Sequence, residues 1–286
     1  MGMESEFVEL SELWSAGQVI PYVGPGIWAG REAPFPVSPE QLALHLATKV
    51  TVPGKLKGRL WESAQYIESF KHRKTLVHLM KESFSGKAPL LPLHDALLKG
   101  VHAPLVVDVW YDSTLSEAIG EDRIQMTATS RSEHPGQWYR IDRKTREGWV
   151  SWNEEVPDRM PVLYKPFGSH VPGGDYIVSD ADFVEILTEI DIQTPIPPEV
   201  QEARTGRHFL FLGCRFDNQT SRIFARQIMK RSADRHWMVA DHELTPKERR
   251  FVDEQKIRIL PVANGEDLIP ALSTGLEAHG ARRVLA

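Results

Sequence analysis

The chain predicts an α/β fold, doubly wound on a mainly parallel, Rossmann-like sheet with helices on both faces, and three observations carry that expectation. Short apolar runs rich in β-branched and aromatic residues recur along it, as in VIPYV (19–23), PLVVDV (104–109) and HFLFLG (208–213). Such unbroken apolar runs are what strands buried on both faces require. Between them lie segments with apolar residues at helical spacing, and strands alternating with helices specify a parallel sheet. Two of the runs end in glycine, at Gly24 and Gly213, where a strand must turn sharply toward a helix.

Element by element, the first strand at 19–23 leads into the glycine loop GPGIWAG. The helix after it is announced by Ser38, by Pro39 at the first helical position and by Gln41 three residues after the serine. Leu42, Leu46 and Val50 then repeat at fours. Residues 60–85 and 90–99 read as further helices, the second ending near Gly100. From 121 to 160 the texture changes: QWYRIDRKTREGWVSW alternates aromatic and polar residues around a polar turn, which predicts a β-hairpin insertion. DYIVSDADFVEILTEI reads as a strand, a Ser179/Asp180 cap and a helix bearing Phe183, Ile186, Leu187 and Ile190 on one face. A helix follows from about 218, HWMVA and IRILPV supply the last strands, and Thr245, Pro246 and Glu248 form a capping box between them. The expectation is one domain over 1–286, with its core at about 15–262 and a helical tail at 263–286.

Composition narrows the function. With 286 residues, 41% hydrophobic and 26% charged, the chain can bury a substantial core. A net charge of -5 argues against a dedicated nucleic-acid binder, which carries a basic face. The clusters KHRK (71–74) and KRSADRH (230–236) read as solvated helix faces. The single cysteine, Cys214, excludes an intrachain disulfide and a cysteine-based zinc site, and fits a reducing compartment. The remaining histidines show no metal-ligand spacing, so no metal is expected. An acidic N-terminus and the lack of an apolar run near 20 residues predict a cytoplasmic protein without a membrane segment.

Ligands of doubly wound sheets bind at the carboxyl ends of strands, which directs attention to Gly24, to Asp108–Asp112 and to Gly213. Read in order, VIPYVGPGIWAG, APFPVSPEQLALHLA, the pair ESAQYIESF and LPLHDALLKG, LVVDVWYDSTLSEAI, LYKPFGSHVPGGDYIVSDADF and LFLGCRFDNQTSRIF resemble the sirtuin-like family, in its short prokaryotic branch. The resemblance spans about 15–262 and implies NAD+ chemistry: expulsion of nicotinamide, aided by an asparagine, an aspartate and a histidine general base. It implies nucleotide contacts at Gly24, Gly26, Ile27, Asp112, Gly213, Arg215 and Asp217. Asp112 is kept, but Trp110 stands at the asparagine position, Phe167 at the histidine position, and Pro25 and Trp28 occupy small-residue positions of the glycine loop. Tryptophan and phenylalanine offer no base and no carbonyl acceptor.

These departures lead to the expectation of a protein that has lost NAD+ cleavage. It would bind NAD+ or an ADP-ribose-type nucleotide as a sensor, or act through contacts with a partner protein or a second copy of itself. The alternative is an active NAD+ hydrolase that recruits His170 with Asp112. A third reading makes the hairpin aromatics Trp138, Tyr139, Trp149 and Trp152 a docking surface. Set against these are plainer roles: Gly24 and Gly26 as a turn, Asp112 as a helix cap, Arg215 in an ion pair, His170 as a solvent-facing loop residue, and the three aromatics as core filling a vacated pocket.

Overall fold

A computed structural model describes residues 3–99, 103–189 and 195–262, together with 267, 268 and 270. In chain order it opens with α1 (Met3–Ser15), β1 (Val19–Val23), a short 3-10 turn at Pro25–Trp28, and α2 (Pro39–Lys49). Next come α3 (Leu60–Lys71), α4 (Arg73–Ser83), α5 (Pro92–Lys99), β2 (Leu105–Asp108) and α6 (Thr114–Ala118). The central stretch holds β3 (Ile124–Ala128), β4 (Tyr139–Thr145), β5 (Gly148–Ser151), β6 (Val162–Lys165), β7 (Gly168–Ser169) and β8 (Asp175–Tyr176). The chain continues with α7 (Asp180–Glu189), α8 (Pro198–Arg204), β9 (His208–Leu212), α9 (Gln219–Ile228), β10 (His236–Val239), α10 (Pro246–Glu254) and β11 (Ile257–Leu260). The fold is mixed α/β with a mostly parallel sheet, as the alternation of runs predicts.

The chain gathers into two compact units. The first contains residues up to Ile27, Leu90–Val106 and the chain from Ala203; the second contains Trp28–Pro89 and Val107–Glu202. In the first, β9 pairs parallel with both β1 and β10, and β10 pairs parallel with β11. Its core is the aromatic and aliphatic filling of those strands, including Ile20, Phe209, Phe211 and Trp237, all fully buried. In the second, β3 pairs parallel with β6 and antiparallel with β4, and β4 pairs antiparallel with β5.

Local signals hold up well. Ser38 accepts from the Gln41 N–H at 3.1 Å, Ser179 accepts from the Asp182 N–H at 3.3 Å, and Thr245 with Glu248 forms a complete capping box. The hairpin is β4–β5, closed between Thr145 and Gly148. The 121–160 span also contains β3, which is a sheet strand and no part of the insertion. Two further readings are corrected. The 60–85 helix is broken at His72, whose left-handed backbone (φ 69°) ends α3 and begins α4, and no proline or glycine signals the break. The DYIV strand shrinks to the two residues of β8, paired antiparallel with β7 in a separate ladder. The tail at 263–286 lies almost wholly outside the described residues, as do Gly100 and Ile190. No helix among the described residues is long and apolar enough to cross a membrane.

Candidate functional site

The expected site residues divide between the two units. In the first, the carboxyl ends of β1 and β9 interlock. The Gly24 N–H donates to the Leu212 carbonyl and the Gly26 N–H to the Gly213 carbonyl, both at 2.8 Å, and the Ile27 N–H reaches the Gly24 carbonyl at 3.4 Å. Pro25 has no N–H, so the loop's donors that would cradle a phosphate are spent on the chain itself. The glycines have a packing reason as well: a Cβ on Gly24 or Gly26 would lie 2.5 or 2.7 Å from the Gly213 carbonyl oxygen. Gly213, at φ +61°, would place a Cβ 2.2 Å from the Ile27 nitrogen. The geometry here is that of a tight turn.

Arg215 and Asp217 follow on the exposed start of the next segment. Arg215 makes no ion pair among the described residues, and Asp217 accepts from the Asn218 side chain at 3.0 Å. Cys214 is buried, its thiol directed at the Tyr22 carbonyl 3.4 Å away.

The same strand ends carry a group that sequence reasoning passed over. His242 lies between two carboxylates, with Nδ1 2.8 Å from Asp241 Oδ1 and Nε2 2.9 Å from Glu248 Oε1. Both ring nitrogens face acceptors, an arrangement that favours the imidazolium. Burial lowers its pKa, but the hydrogen bonds to Asp241 and Glu248 prevail and raise it. Asp241 Oδ2 stands 3.0 Å from where a Gly26 Cβ would be. The available signal was the Asp-His pair directly after the β10 run, with the capping-box glutamate six residues on.

In the second unit, Trp110 is only 4% exposed. Its indole N–H donates to the Pro36 carbonyl at 2.9 Å, its backbone N–H to Asp108 at 3.0 Å, and its ring packs on Tyr111 and Phe84. Trp28, 1% exposed, meets Phe35 edge-on at 5.4 Å, and Phe35 meets Phe84 at 5.9 Å. Trp28 and Trp110 thus share one ring cluster through Phe35 and Phe84. Phe167 is buried too, edge-on to Phe183 at 5.0 Å, which in turn meets Trp61. Each such ring removes a large apolar area from water and gains further from edge-to-face contact.

Asp112 is buried, and its carboxylate accepts from the Thr114 N–H at 2.9 Å, although the N-cap position of α6 belongs to Ser113 and not to Asp112. Its carbonyl accepts from Lys165 at 3.0 Å, and Lys165, fully buried, also reaches Asp108 at 2.6 Å. Burial pushes the Asp108 carboxyl up to about 6 even though Lys165 opposes it. His170 does not face solvent as an isolated loop residue. It is half-buried, donates its backbone N–H to the Tyr111 carbonyl at 2.8 Å, and holds Tyr176 Oη at 3.0 Å through Nδ1. Burial, and then the charge of Lys81, lower its pKa.

The hairpin aromatics are half-buried rather than exposed: Arg131 covers Trp138 at 4.7 Å and Arg143 covers Trp152 at 5.3 Å. A cleft of about 390 Å³ is walled by Pro34, Phe35 and Pro36 opposite Gln41, His45 and Glu82. Two of its polar groups are engaged, with Gln41 accepting from the Val37 N–H and Glu82 paired with Lys49. Among the described residues, no group of three or more His, Cys, Asp or Glu side chains is placed to hold a metal.

A family model described as a SIR2-like domain matches residues 104–260, more than half of the chain. No curated protein matches it.

Proposed function

The chain belongs to the SIR2-like domain family, and from that premise we propose that it is a non-cleaving member whose work is recognition, of NAD+ or an ADP-ribose-type nucleotide or of a protein partner. The observation that carries the reading is Trp110. At the position where the resemblance implies an asparagine, a buried indole is tied by its N–H to the Pro36 carbonyl and packed on Phe84 and Tyr111. It cannot swing aside without breaking that bond and exposing the cluster. Phe167 supplies no base at the histidine position, and the buried Asp112 carboxylate already accepts the Thr114 N–H.

The residues present fit NAD+ cleavage poorly. The glycine-loop donors are internally bonded, and bulk stands where the carboxamide and ribose would be held, so no cleavage step is derived. A second reading, an active hydrolase using His170 and Asp112, draws support from a neutral, well-held imidazole in the same unit. A proton NMR time course of NAD+ with the purified protein separates the two. The expected outcome is broadened adenine signals, or no change, with no free nicotinamide. Nicotinamide released in proportion to protein, and abolished by His170→Ala, would establish the hydrolase instead.

A further inference from the structure

We propose that His170 and Lys81 form a recognition site for an anionic oxygen group, a phosphate or a carboxylate, in which His170 is a hydrogen-bond donor and not a base. Tyr176 has a completely buried side chain. Among the described residues its hydroxyl has one partner, His170 Nδ1 at 3.0 Å. A buried phenol O–H needs an acceptor, and burial pushes its pKa far upward, so the proton stays on oxygen and is donated to Nδ1. The ring proton of a neutral His170 then sits on Nε2.

That assignment is held from several sides. The His170 backbone is fixed by its N–H to the Tyr111 carbonyl at 2.8 Å, and Tyr111 is fixed by its own hydroxyl on the Ile177 carbonyl at 2.8 Å. The two tyrosine rings pack at 5.9 Å. Nε2 has no partner among the described residues, and His170 as a whole is half-buried.

Lys81 supplies the charge. It is exposed near the end of α4 and lies over the turn that follows His170: a Cβ on Gly174 would be 2.4 Å from its Cε and 3.2 Å from its Nζ. Glycine at 174 is what lets the ammonium approach the turn. Lys81 has no carboxylate partner among the described residues, and the nearby Asp175 is engaged by His134 at 2.7 Å and by Arg140 at 3.5 Å. An ammonium and a neutral N–H donor beside one rigid turn suit an anion's oxygens. This site does not depend on whether a nucleotide binds.

Long-range proton–nitrogen NMR of the imidazole rings in the full chain tests it, with the His170 signals identified by their loss in His170→Gln. The wild-type protein is expected to show the Nε2–H pattern. Titration with inorganic phosphate, and separately with acetate, is expected to move those signals for at least one anion, and the anion that saturates first identifies the group. Lys81→Gln, at an exposed position, is expected to weaken that binding about tenfold. An Nδ1–H pattern, unmoved signals with both anions, or unchanged binding in Lys81→Gln would overturn the proposal, whatever the protein does with NAD+.

Discussion

Gly213 shows how one residue fixes a turn for which the sequence left a nucleotide contact and a plain turn both open. Its left-handed backbone and the 2.2 Å separation of its missing Cβ from the Ile27 nitrogen leave no room for a side chain, and the obstacle is backbone. Gly30 has a similar φ of +74° but nothing within 4 Å of its Cβ position. The pair separates strain from collision. Gly30→Ala is expected to cost about 1 kcal/mol, the left-handed penalty alone. Gly213→Ala is expected to cost at least about 3 kcal/mol, because strain and overpacking add. Urea denaturation of the two variants measures the difference, and equal losses would contradict the interlocked-turn account.

At the scale of an element, α10 is held by a residue with several duties. Glu248 closes the capping box with Thr245, accepts the Phe216 N–H at 3.1 Å and receives His242. Burial raises its pKa, but those donors prevail and lower it. Thr245→Ala removes the cap and is expected to cost about 1 kcal/mol. Glu248→Ala also strands the Phe216 N–H and the imidazolium, and is expected to cost roughly 2–3 kcal/mol. Thermal unfolding ranks the two, and a Thr245→Ala loss equal to or above that of Glu248→Ala would show that the capping box alone matters. The α3–α4 break makes the opposite point: helical spacing runs through His72, and only its positive φ ends the first helix.

For the molecule as a whole, acid acts on the two units with opposite sign. In the first, His236 is buried, with Nδ1 accepting the Phe209 N–H at 3.0 Å, and burial followed by the charge of His208 brings its pKa to about 4. Its unfolded value is about 6.5, so between those limits the unfolded chain binds more protons and stability rises with pH. The effect amounts to about 3 kcal/mol, lost as pH falls toward 4. In the second, Asp108 titrates at about 6 when folded, above an unfolded carboxyl, so its contribution falls as pH rises through that window. Hydrogen exchange at pH 4.5 and 6.5 reads the units separately. The β9 and β10 amides are expected to lose protection at the lower pH, and His236→Gln, which keeps an acceptor for Phe209, is expected to remove most of that loss. The same loss in the variant would assign it to other groups.

What the sequence determined by itself is what short-range physics decides. Apolar runs became buried strands, Ser38, Ser179 and Thr245 became caps, and the polar RKTRE turn became the β4–β5 hairpin, since each depends on residues within a few positions. The α/β class and the family resemblance followed from the order of those pieces. The tertiary structure alone decided the rest of the candidate site, because hydrogen-bond partners far apart in sequence leave no local trace. Trp110 finds its acceptor at Pro36, Gly26 at Gly213, and Lys165 at Asp108. Spacing could mark His170 as a candidate base. Only the buried hydroxyl of Tyr176 decides which of its nitrogens carries the proton.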